Sequence, residues 1–388
     1  MHQGKYVFSQ IMEQVVRYQF NKCVQGYHGE HWVKNFSCWE QFLSMAFGQL
    51  ALRNSLRDVV ICLNAQREKF YHMGFKSAVY LPTLAKANEK RDWRIYRDYA
   101  KLLISQARKL YSNDELPGLE LQGAIYVIDS TTIELCLSLF PWAKLKKVRA
   151  AVKLNLAMEL KGSIPAFFQI SSGKTHDIYF LDFLELEDGA YYVMDKGYVD
   201  FERLYKIHTA GAFFVTRAKD NFSFKRIYSQ PTDRVAGIIC DQIVRLKNYY
   251  AAKGYPKKLR RIKYYDKTTN HTYVFLTNNF ELPALTVSLL YKYRWQVELF
   301  FKWVKQHLSI ESFWGRSENA VKTQICIALC AYLLVAILKK NLGIKRNSYE
   351  ILQILSVSLF DKTPIFKLVS KHSLPIMESQ NQKQPYLW

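Results

Sequence analysis

Residues 123–130 run Gly123-Ala124-Ile125-Tyr126-Val127-Ile128-Asp129-Ser130, and this stretch decides the fold. Its centre is apolar and rich in β-branched side chains, and a glycine and an aspartate bound it, which is typical of a buried strand. Between Phe8 and Leu110, by contrast, apolar side chains recur mostly at intervals of three and four, as they do along one face of a helix. The sequence therefore predicts a helical N-terminal third, followed from Gly123 by a domain that contains a sheet.

Further strands follow the first one. Residues 149–160 and 164–171 alternate around Lys161-Gly162-Ser163, a pattern that predicts a hairpin. Residues 191–194 and 212–216 are two more short apolar runs, and an amphipathic segment at 201–209 lies between them. Three strands in a meander, followed by strand, helix and strand, predict a mixed sheet in an α/β domain.

Composition excludes several classes of protein. The 388 residues are 49% hydrophobic and 15% aromatic, which is too apolar for a disordered chain. The formal charge is +22, and two stretches carry most of it: residues 66–110 have 11 Lys and Arg against 4 acids, and residues 221–270 have 12 against 3. Such a surplus favours a polyanionic partner, nucleic acid first and an anionic membrane surface second.

The chain has no pattern typical of a secreted or membrane protein. Its start lacks the basic and apolar regions of a secretory signal. The longest apolar run, residues 325–338, has 14 residues, fewer than the roughly 18 that cross a bilayer, so we expect a buried helix. Seven scattered cysteines form no CxxC pair. We expect a cytoplasmic, nucleoid-associated protein without a membrane partner.

The basic N-terminal stretch contains a candidate helix-turn-helix. Residues 56–65 and a second helix capped by Thr83 flank a turn at Met73–Gly74, and the second helix of such a pair can enter a major groove. The predicted DNA contacts on it are Lys86, Lys90 and Arg91. A helix pair with a solvated basic face is the alternative.

Three acids are the candidates for chemistry. Asp129 ends the first predicted strand, Asp195 ends a later one in VMDKGY, and Glu298 lies on a helix in the C-terminal third. Carboxylates at the ends of neighbouring strands converge at one sheet edge and supply the hard oxygen ligands of a site for two divalent cations. Taken singly, each aspartate could instead cap a turn or a helix.

The helix around Glu298 has a polar stripe. Tyr291, Arg294, Glu298 and Lys305 follow one another at spacings of 3, 4 and 7, so we expect them on one face of a single helix. An ordinary intrahelical ion pair between Arg294 and Glu298 is the simpler interpretation. Because the rest of this helix is strongly apolar, we expect the stripe to face a cleft or a partner.

These residues together resemble the DDE transposases of the bacterial insertion-sequence-four family. The resemblance rests on Asp129 before Ser-Thr, on Asp195 in D-x-G-Y, and on the Y-x2-R-x3-E-x6-K signature, and it covers roughly residues 120–340. It implies an RNase H-like mixed sheet flanked by helices, with a β-rich insertion before the catalytic glutamate helix and an all-helical N-terminal domain. The 66 residues from Asp129 to Asp195 and the 103 from Asp195 to Glu298 leave room for that insertion.

The resemblance also implies a mechanism. Asp129, Asp195 and Glu298 would hold two Mg²⁺ ions, for which Mn²⁺ could substitute, and the reaction would be cut-and-paste transposition through a DNA hairpin. Tyr291 and Arg294 would hold a 5′ phosphate and Lys305 would contact the DNA backbone. The implied partners are the terminal inverted repeats and the target DNA, and the implied assembly is a homodimer on paired ends. A non-catalytic domesticated DNA-binding protein and an RNase H-like nuclease without transposition are the alternatives.

The insertion carries further candidates. Lys257, Lys258, Arg260 and Arg261 are predicted phosphate contacts, with a solvated basic rim as the alternative. Aromatic side chains could stack on a flipped base or could simply pack in the sheet; they are Tyr249, Tyr250, Tyr255, Tyr264 and Tyr265. His176 and Asp177 could support the metal site, or Asp177 could cap the turn that leaves the hairpin.

The expected domain organisation follows from these assignments. We expect a helical DNA-binding domain over residues 1–118, a catalytic domain over 119–345 with the insertion at 220–283, and a helical C-terminal tail over 346–388.

Overall fold

The computed structural model describes residues 4–147, 149–307 and 313–370. Helices come first and last along the chain, and the strands lie between them. The helices are α1 (Val7–Met12), α2 (Arg17–Gly26), α3 (Cys38–Leu50), α4 (Leu56–Asn64), α5 (Phe70–Met73), α6 (Leu81–Lys90), α7 (Arg94–Tyr111), α8 (Phe201–Thr209), α9 (Tyr249–Gly254), α10 (Ala284–Lys292), α11 (Trp295–His307), α12 (Glu318–Asn341), α13 (Ser348–Ser358) and α14 (Ile365–Ser370).

The strands of this part of the chain form one sheet of ten. They are β1 (Ile125–Leu135), β2 (Lys144–Lys146), β3 (Arg149–Glu159), β4 (Ile164–Ser172), β5 (Tyr191–Met194), β6 (Phe213–Arg217), β7 (Phe224–Gln230), β8 (Ile238–Leu246), β9 (Leu259–Asp266) and β10 (His271–Thr277). The order is β2-β3-β1-β5-β6-β10-β9-β8-β7, and β4 also pairs with β3.

The sheet is mixed, as the sequence predicts. β1, β3 and β4 pair antiparallel, whereas β5 runs parallel to β1 and β6 runs parallel to β5. The hairpin turn at 161–163 is confirmed. Gly162 has a φ of +73°, and a Cβ at this position would lie 2.4 Å from the ring of Tyr111, so only glycine fits the turn without strain.

Strand β1 differs from its prediction. It continues beyond Asp129 to Leu135, and each residue from 126 to 135 pairs with β3. The long neighbour β3 supplies the pairing, and the β-branched residues Thr131, Thr132 and Ile133 suit a strand. The prediction that Asp129 ends the strand is therefore wrong, since Asp129 lies within it.

Both faces of the sheet are covered. The N-terminal helices, α10, α11 and α12 pack on one face in a large apolar cluster that includes Ile125 and Val127. The second cluster, with Tyr126 and Ile128, contains residues of α8 on the other face. Helix α12 is long and apolar enough to be tested as a membrane span, but 94% of its apolar window is buried inside the protein. The prediction of a buried helix here is confirmed.

The two ends of the described chain meet. The backbone N–H groups of Val7 and Phe8 donate to the carbonyls of Asp361 and Leu359 at 2.9 and 3.0 Å, and Gln10 accepts from the N–H of Ile365 at 3.0 Å. Helix α12 also packs against α3, α6 and α7. The N-terminal helices and the described part of the expected tail therefore share one core, while residues 371–388 of that tail lie outside the described residues.

Helices α4 and α6 contact each other, but α6 begins earlier than predicted. Tyr80, not Thr83, is its N-cap, and Pro82 lies in the first turn, where its fixed φ suits a helix start. Lys86 and Lys90 are exposed. Arg91 instead donates to the carbonyl of Ser37 at 2.8 Å and to Gln41 at 3.0 Å, contacts that tie the end of α6 to α3.

Candidate active site

Asp129 and Asp195 are brought together by two parallel strands. Ile128 of β1 pairs with Met194 of β5, so the residue that follows each of these two is one of the acids. Glu298 lies in the first turn of α11, which packs on β1. The three acids that the sequence identifies thus come from β1, from the end of β5 and from α11.

Arg294 joins two of these acids. Its Nη1 lies 3.6 Å from Oδ2 of Asp129 and its Nη2 lies 2.5 Å from Oε1 of Glu298. The guanidinium side chain is only 19% exposed, so the interaction is sheltered from solvent. The intrahelical pair between Arg294 and Glu298 therefore exists, but the same guanidinium also reaches the sheet.

Asp195 has its own partners. The hydroxyl of Tyr291 donates to Oδ1 of Asp195 at 3.0 Å, and Nε of Arg217 lies 3.2 Å from the same oxygen. Sequence reasoning missed Arg217. Its position gives the missing signal, because it is the last residue of β6, the next parallel strand, and residues that end neighbouring parallel strands meet at one edge.

The predicted single helix over residues 291–305 is wrong. Helix α10 ends at Lys292 and α11 begins at Trp295, and between them the N–H of Arg294 donates to Tyr291 O and that of Gln296 to Tyr293 O, both at 3.0 Å. These shorter hydrogen-bonded turns redirect the chain. As a result, Tyr291 and Arg294 contact different acids. Lys305 lies farther along, with Nζ 3.4 Å from the carbonyl of Thr132.

The two aspartates have opposite pKa shifts. Burial raises the pKa of Asp129 to about 6, although the backbone N–H of Ser130 and the charge of Arg294 partly offset it. Burial also acts on Asp195, but the N–H of Lys196 and the charges of Arg217 and Arg294 outweigh it and hold its pKa below the ordinary value. Burial raises the pKa of the Tyr291 hydroxyl, which keeps it a donor.

The three acids carry the type of ligand atom that binds a divalent cation. Carboxylate oxygens are hard ligands of the type that Mg²⁺ and Mn²⁺ prefer. Within the described ranges, however, no group of three or more His, Cys, Asp and Glu residues is arranged to hold a metal ion. In this arrangement the guanidinium of Arg294 contacts both Asp129 and Glu298.

One predicted phosphate contact is wrong. Arg260 is 3% exposed and donates to both oxygens of Asp241, at 2.9 and 2.6 Å. Its charge is neutralised by the carboxylate of Asp241, which lies on the neighbouring strand β8. Lys257 and Lys258 are exposed. Arg261 is half-buried, donates to Gln242 at 2.9 Å and lies over the ring of Phe224.

The remaining candidates are the aromatic residues of the insertion and the pair His176 and Asp177. Tyr255 is buried and contacts His208 through its hydroxyl at 2.7 Å, which indicates packing, whereas Tyr249 and Tyr250 are 74% and 82% exposed. His176 accepts from the N–H of Ile178 at 3.4 Å, and Asp177 pairs with Lys153 at 2.6 Å. A capped turn is therefore present, but its capping residue is His176 and not the predicted Asp177.

A cleft of about 550 Å³ is lined in part by Arg217. We call it the basic cleft, because its lining carries four basic side chains, Lys196, Arg217, Lys219 and Arg261, and one acid, Asp220. Asp220 pairs with Lys196 at 3.3 Å. The stacked rings of Phe222 and Phe224, 5.3 Å apart, form part of its wall. Arg217 thus lies between the basic cleft and the acid.

Comparison with known proteins agrees with this site. Residues 120–334 match the family described as the transposase DDE domain, and residues 3–76 match a domain of unknown function. A protein of Sinorhizobium fredii named as a transposase is 34% identical over 66% of this chain and 70% of its own length. A transposase of insertion sequence element IS5377 from Geobacillus stearothermophilus is 28% identical over 73% of this chain and 75% of its length.

Among solved structures, the chain superposes on the piggyBac transposase, determined as a synaptic complex with hairpin DNA. The TM-score is 0.46 and the identity 13%, over 94% of this chain and 80% of that one. The family match spans more than half of the chain and includes all three acids. The chain therefore belongs to the DDE transposases of bacterial insertion sequences, enzymes that cleave DNA and transfer its strands.

Proposed function

We propose that this transposase moves its insertion sequence by a metal-dependent cut-and-paste reaction at the site formed by Asp129, Asp195 and Glu298. The observation that carries the proposal is the convergence of Asp129 and Glu298 on Arg294, with Asp195 on the adjoining parallel strand. Membership of the family supports DNA as the substrate.

The acids would hold two Mg²⁺ ions, or Mn²⁺ in their place. Such a pair of ions activates the attacking oxygen and stabilises the leaving oxygen of a phosphodiester. Asp195, with its pKa below the ordinary value, is a carboxylate at neutral pH. Arg294 and Tyr291 would hold the phosphate beside the cut, because the planar guanidinium fork matches phosphate oxygens.

We further propose that the core is RNase H-like. The antiparallel strands β1, β3 and β4, followed by the parallel strands β5 and β6, support it. The insertion would then be β7 to β10 with α9, which extends the same sheet beyond β6. The division into domains 1–118, 119–345 and 346–388 belongs to this proposal.

DNA would lie along exposed basic residues on either side of the acids. Lys86 and Lys90 on α6 and Lys257 and Lys258 before β9 are exposed and would contact phosphates, as would Lys305 near the acids. Arg91, held by Ser37 and Gln41, would position α6. A homodimer would pair the two terminal inverted repeats in the nucleoid.

The proposal is tested with a plasmid that carries the element's two ends. With Mg²⁺, we expect excision of the segment between the ends and hairpin-ended products on a denaturing gel, and a chelator should stop both. Cleavage without dependence on the ends would favour a nuclease, and binding without cleavage would favour a domesticated DNA-binding protein. Open, unjoined ends in place of hairpins would refute the hairpin step alone.

A further inference from the structure

Each of the three acids lies against an arginine. Arg294 is shared by Asp129 and Glu298, at 3.6 and 2.5 Å, and Arg217 lies 3.2 Å from Asp195. The side chains involved are between 19% and 34% exposed. Two guanidinium charges therefore neutralise most of the charge of three carboxylates in a partly desolvated site.

The positive charge of the two arginines opposes the binding of a metal ion to the same acids. A dication bound to the same oxygens would be repelled by the neighbouring guanidinium, and the reduced dielectric of a partly buried site strengthens this repulsion. The two arginines would have to withdraw before the acids could take metal ions.

Both arginines have spare hydrogen-bonding capacity. The Nε of Arg217 and the Nε of Arg294 are buried and have no hydrogen-bond acceptor among residues 4–147, 149–307 and 313–370. Arg217 is close to Asp195 but is not aligned to donate to it. A partner with more acceptor oxygens would satisfy these groups better, and phosphate, which can accept two parallel hydrogen bonds from one guanidinium, is such a partner.

The basic cleft supplies the route for that partner. Arg217 lines it together with Lys196, Lys219 and Arg261. Lys219 is exposed and would attract a DNA strand, whereas Lys196 is half-buried and pairs with Asp220 at 3.3 Å. A phosphate in the cleft would compete with Asp195 for Arg217.

We propose that Arg217 and Arg294 are internal counter-ions that DNA phosphates draw away from the acids, so that DNA and divalent cations bind cooperatively. The inference rests on the proposed function of the acids as metal ligands. It assigns the basic cleft as a phosphodiester-binding site and gives Arg217 a positioning role. Because such coupling is reciprocal, metal must also tighten the binding of DNA by the same factor.

Mn²⁺ affinity provides the test. Free Mn²⁺ is measured by electron paramagnetic resonance with the full chain, alone and with a duplex that ends at the element boundary in a 3′-dideoxy nucleotide, so that no reaction follows. We expect the duplex to raise Mn²⁺ affinity about tenfold, within the usual range of coupling between sites. Equal affinity with and without the duplex would overturn the proposal.

Variants separate the counter-ion role from folding. Arg217→Gln should bind Mn²⁺ more tightly than wild type without DNA and should show a smaller gain when the duplex is added. Arg203→Gln is the matched control, because Arg203 pairs with Asp182 and Asp200 outside the site; its Mn²⁺ affinity should equal that of wild type. Weaker Mn²⁺ binding by Arg217→Gln, with an unchanged melting temperature, would contradict the proposal.

Failure of the counter-ion proposal can be distinguished from failure of the proposed function. If the acids hold metal but the arginines are not counter-ions, the segment is still excised from the plasmid, but the affinity for Mn²⁺ is the same with and without DNA. If the acids hold no metal, Asp195→Asn leaves both Mn²⁺ affinity and plasmid excision unchanged.

Discussion

Asp129 and Asp195 follow paired positions on parallel strands, yet their surroundings differ. Asp129 lies inside a strand and is the more desolvated of the two, so its neutral form is favoured. Asp195 lies just beyond a strand end, where a backbone N–H and two arginines favour its charged form. The acids could thus be found from the sequence, but their protonation could not, because it depends on burial and on Arg217.

The first prediction concerns pH and Asp129. Its pKa of about 6 is above the ordinary 3.8, so its contribution to stability is present below pH 4 and is lost as the pH rises through 6. Asp129→Asn mimics the neutral form. Without metal, thermal unfolding should show the variant gaining about 3 kcal/mol on wild type between pH 4 and pH 7.5, at about 1.4 kcal/mol per pKa unit.

Asp182 provides the opposite control. Arg203 holds its pKa below the ordinary value, so its contribution to stability is already present above pH 4 and is lost only as the pH falls below that. Asp182→Asn should therefore differ from wild type by a nearly constant amount between pH 4 and pH 7.5. If both variants respond to pH alike, the difference between buried and ion-paired aspartates is not what sets their pKa values.

The second prediction separates the basic residues of the insertion. Arg260→Met leaves Asp241 buried and unpaired and should lower the free energy of unfolding by about 3–5 kcal/mol. Lys258→Met, at an exposed position, should leave stability unchanged and weaken DNA binding. Denaturant unfolding and gel-shift titration measure the two effects. The double change Arg260→Met with Asp241→Leu should recover most of the stability; if it does not, the ion pair is not the cause.

At the scale of elements, the sequence predicts periodic segments well and interruptions poorly. The hairpin at 161–163 and strand β5 follow from alternation and from short apolar runs with turn residues. The length of β1 does not, because its second half is extended by pairing with β3. The break between α10 and α11 cannot be predicted from the sequence either, since residues 291–305 keep a helical spacing through Tyr293 and Arg294.

The third prediction tests the hairpin turn. Gly162→Ala adds a Cβ 2.4 Å from Tyr111 at a φ of +73°, so it introduces both strain and a clash. Gly343→Ala has a similar φ of +62° with nothing within 4 Å and introduces strain alone, worth about 1–2 kcal/mol. Thermal unfolding should show a larger loss for Gly162→Ala. Equal losses would mean that Tyr111 moves aside freely.

At the scale of the whole molecule, exposed positive charge lies in two parts of the fold. Lys86 and Lys90 are exposed on helix α6, and Lys257 and Lys258 are exposed just before strand β9. The proposed DNA path contacts both. The net charge of +22 indicates such binding from the sequence, whereas the buried pair of Arg260 and Asp241 shows that charge alone does not identify a contact.

The fourth prediction tests whether DNA contacts helix α6. Replacing Lys86 and Lys90 together with alanine should reduce the slope of log affinity for DNA against log salt concentration by about two, at roughly 0.9 per phosphate contact. Lys206→Ala, an exposed lysine on α8, should leave the slope unchanged. An unchanged slope in the double variant would show that α6 does not contact DNA.

The three-carboxylate site is tested most directly by strand cleavage at the element's end with Mg²⁺. The variants are Asp129→Asn, Asp195→Asn and Glu298→Gln, and a gel shift measures how well each of them binds the same DNA. Asp182→Asn is the control acid. We predict that each of the three site variants loses cleavage and keeps DNA binding, while the control keeps both. Cleavage at the wild-type rate by any one of the three would contradict the assignment of that acid, and with it the three-carboxylate site.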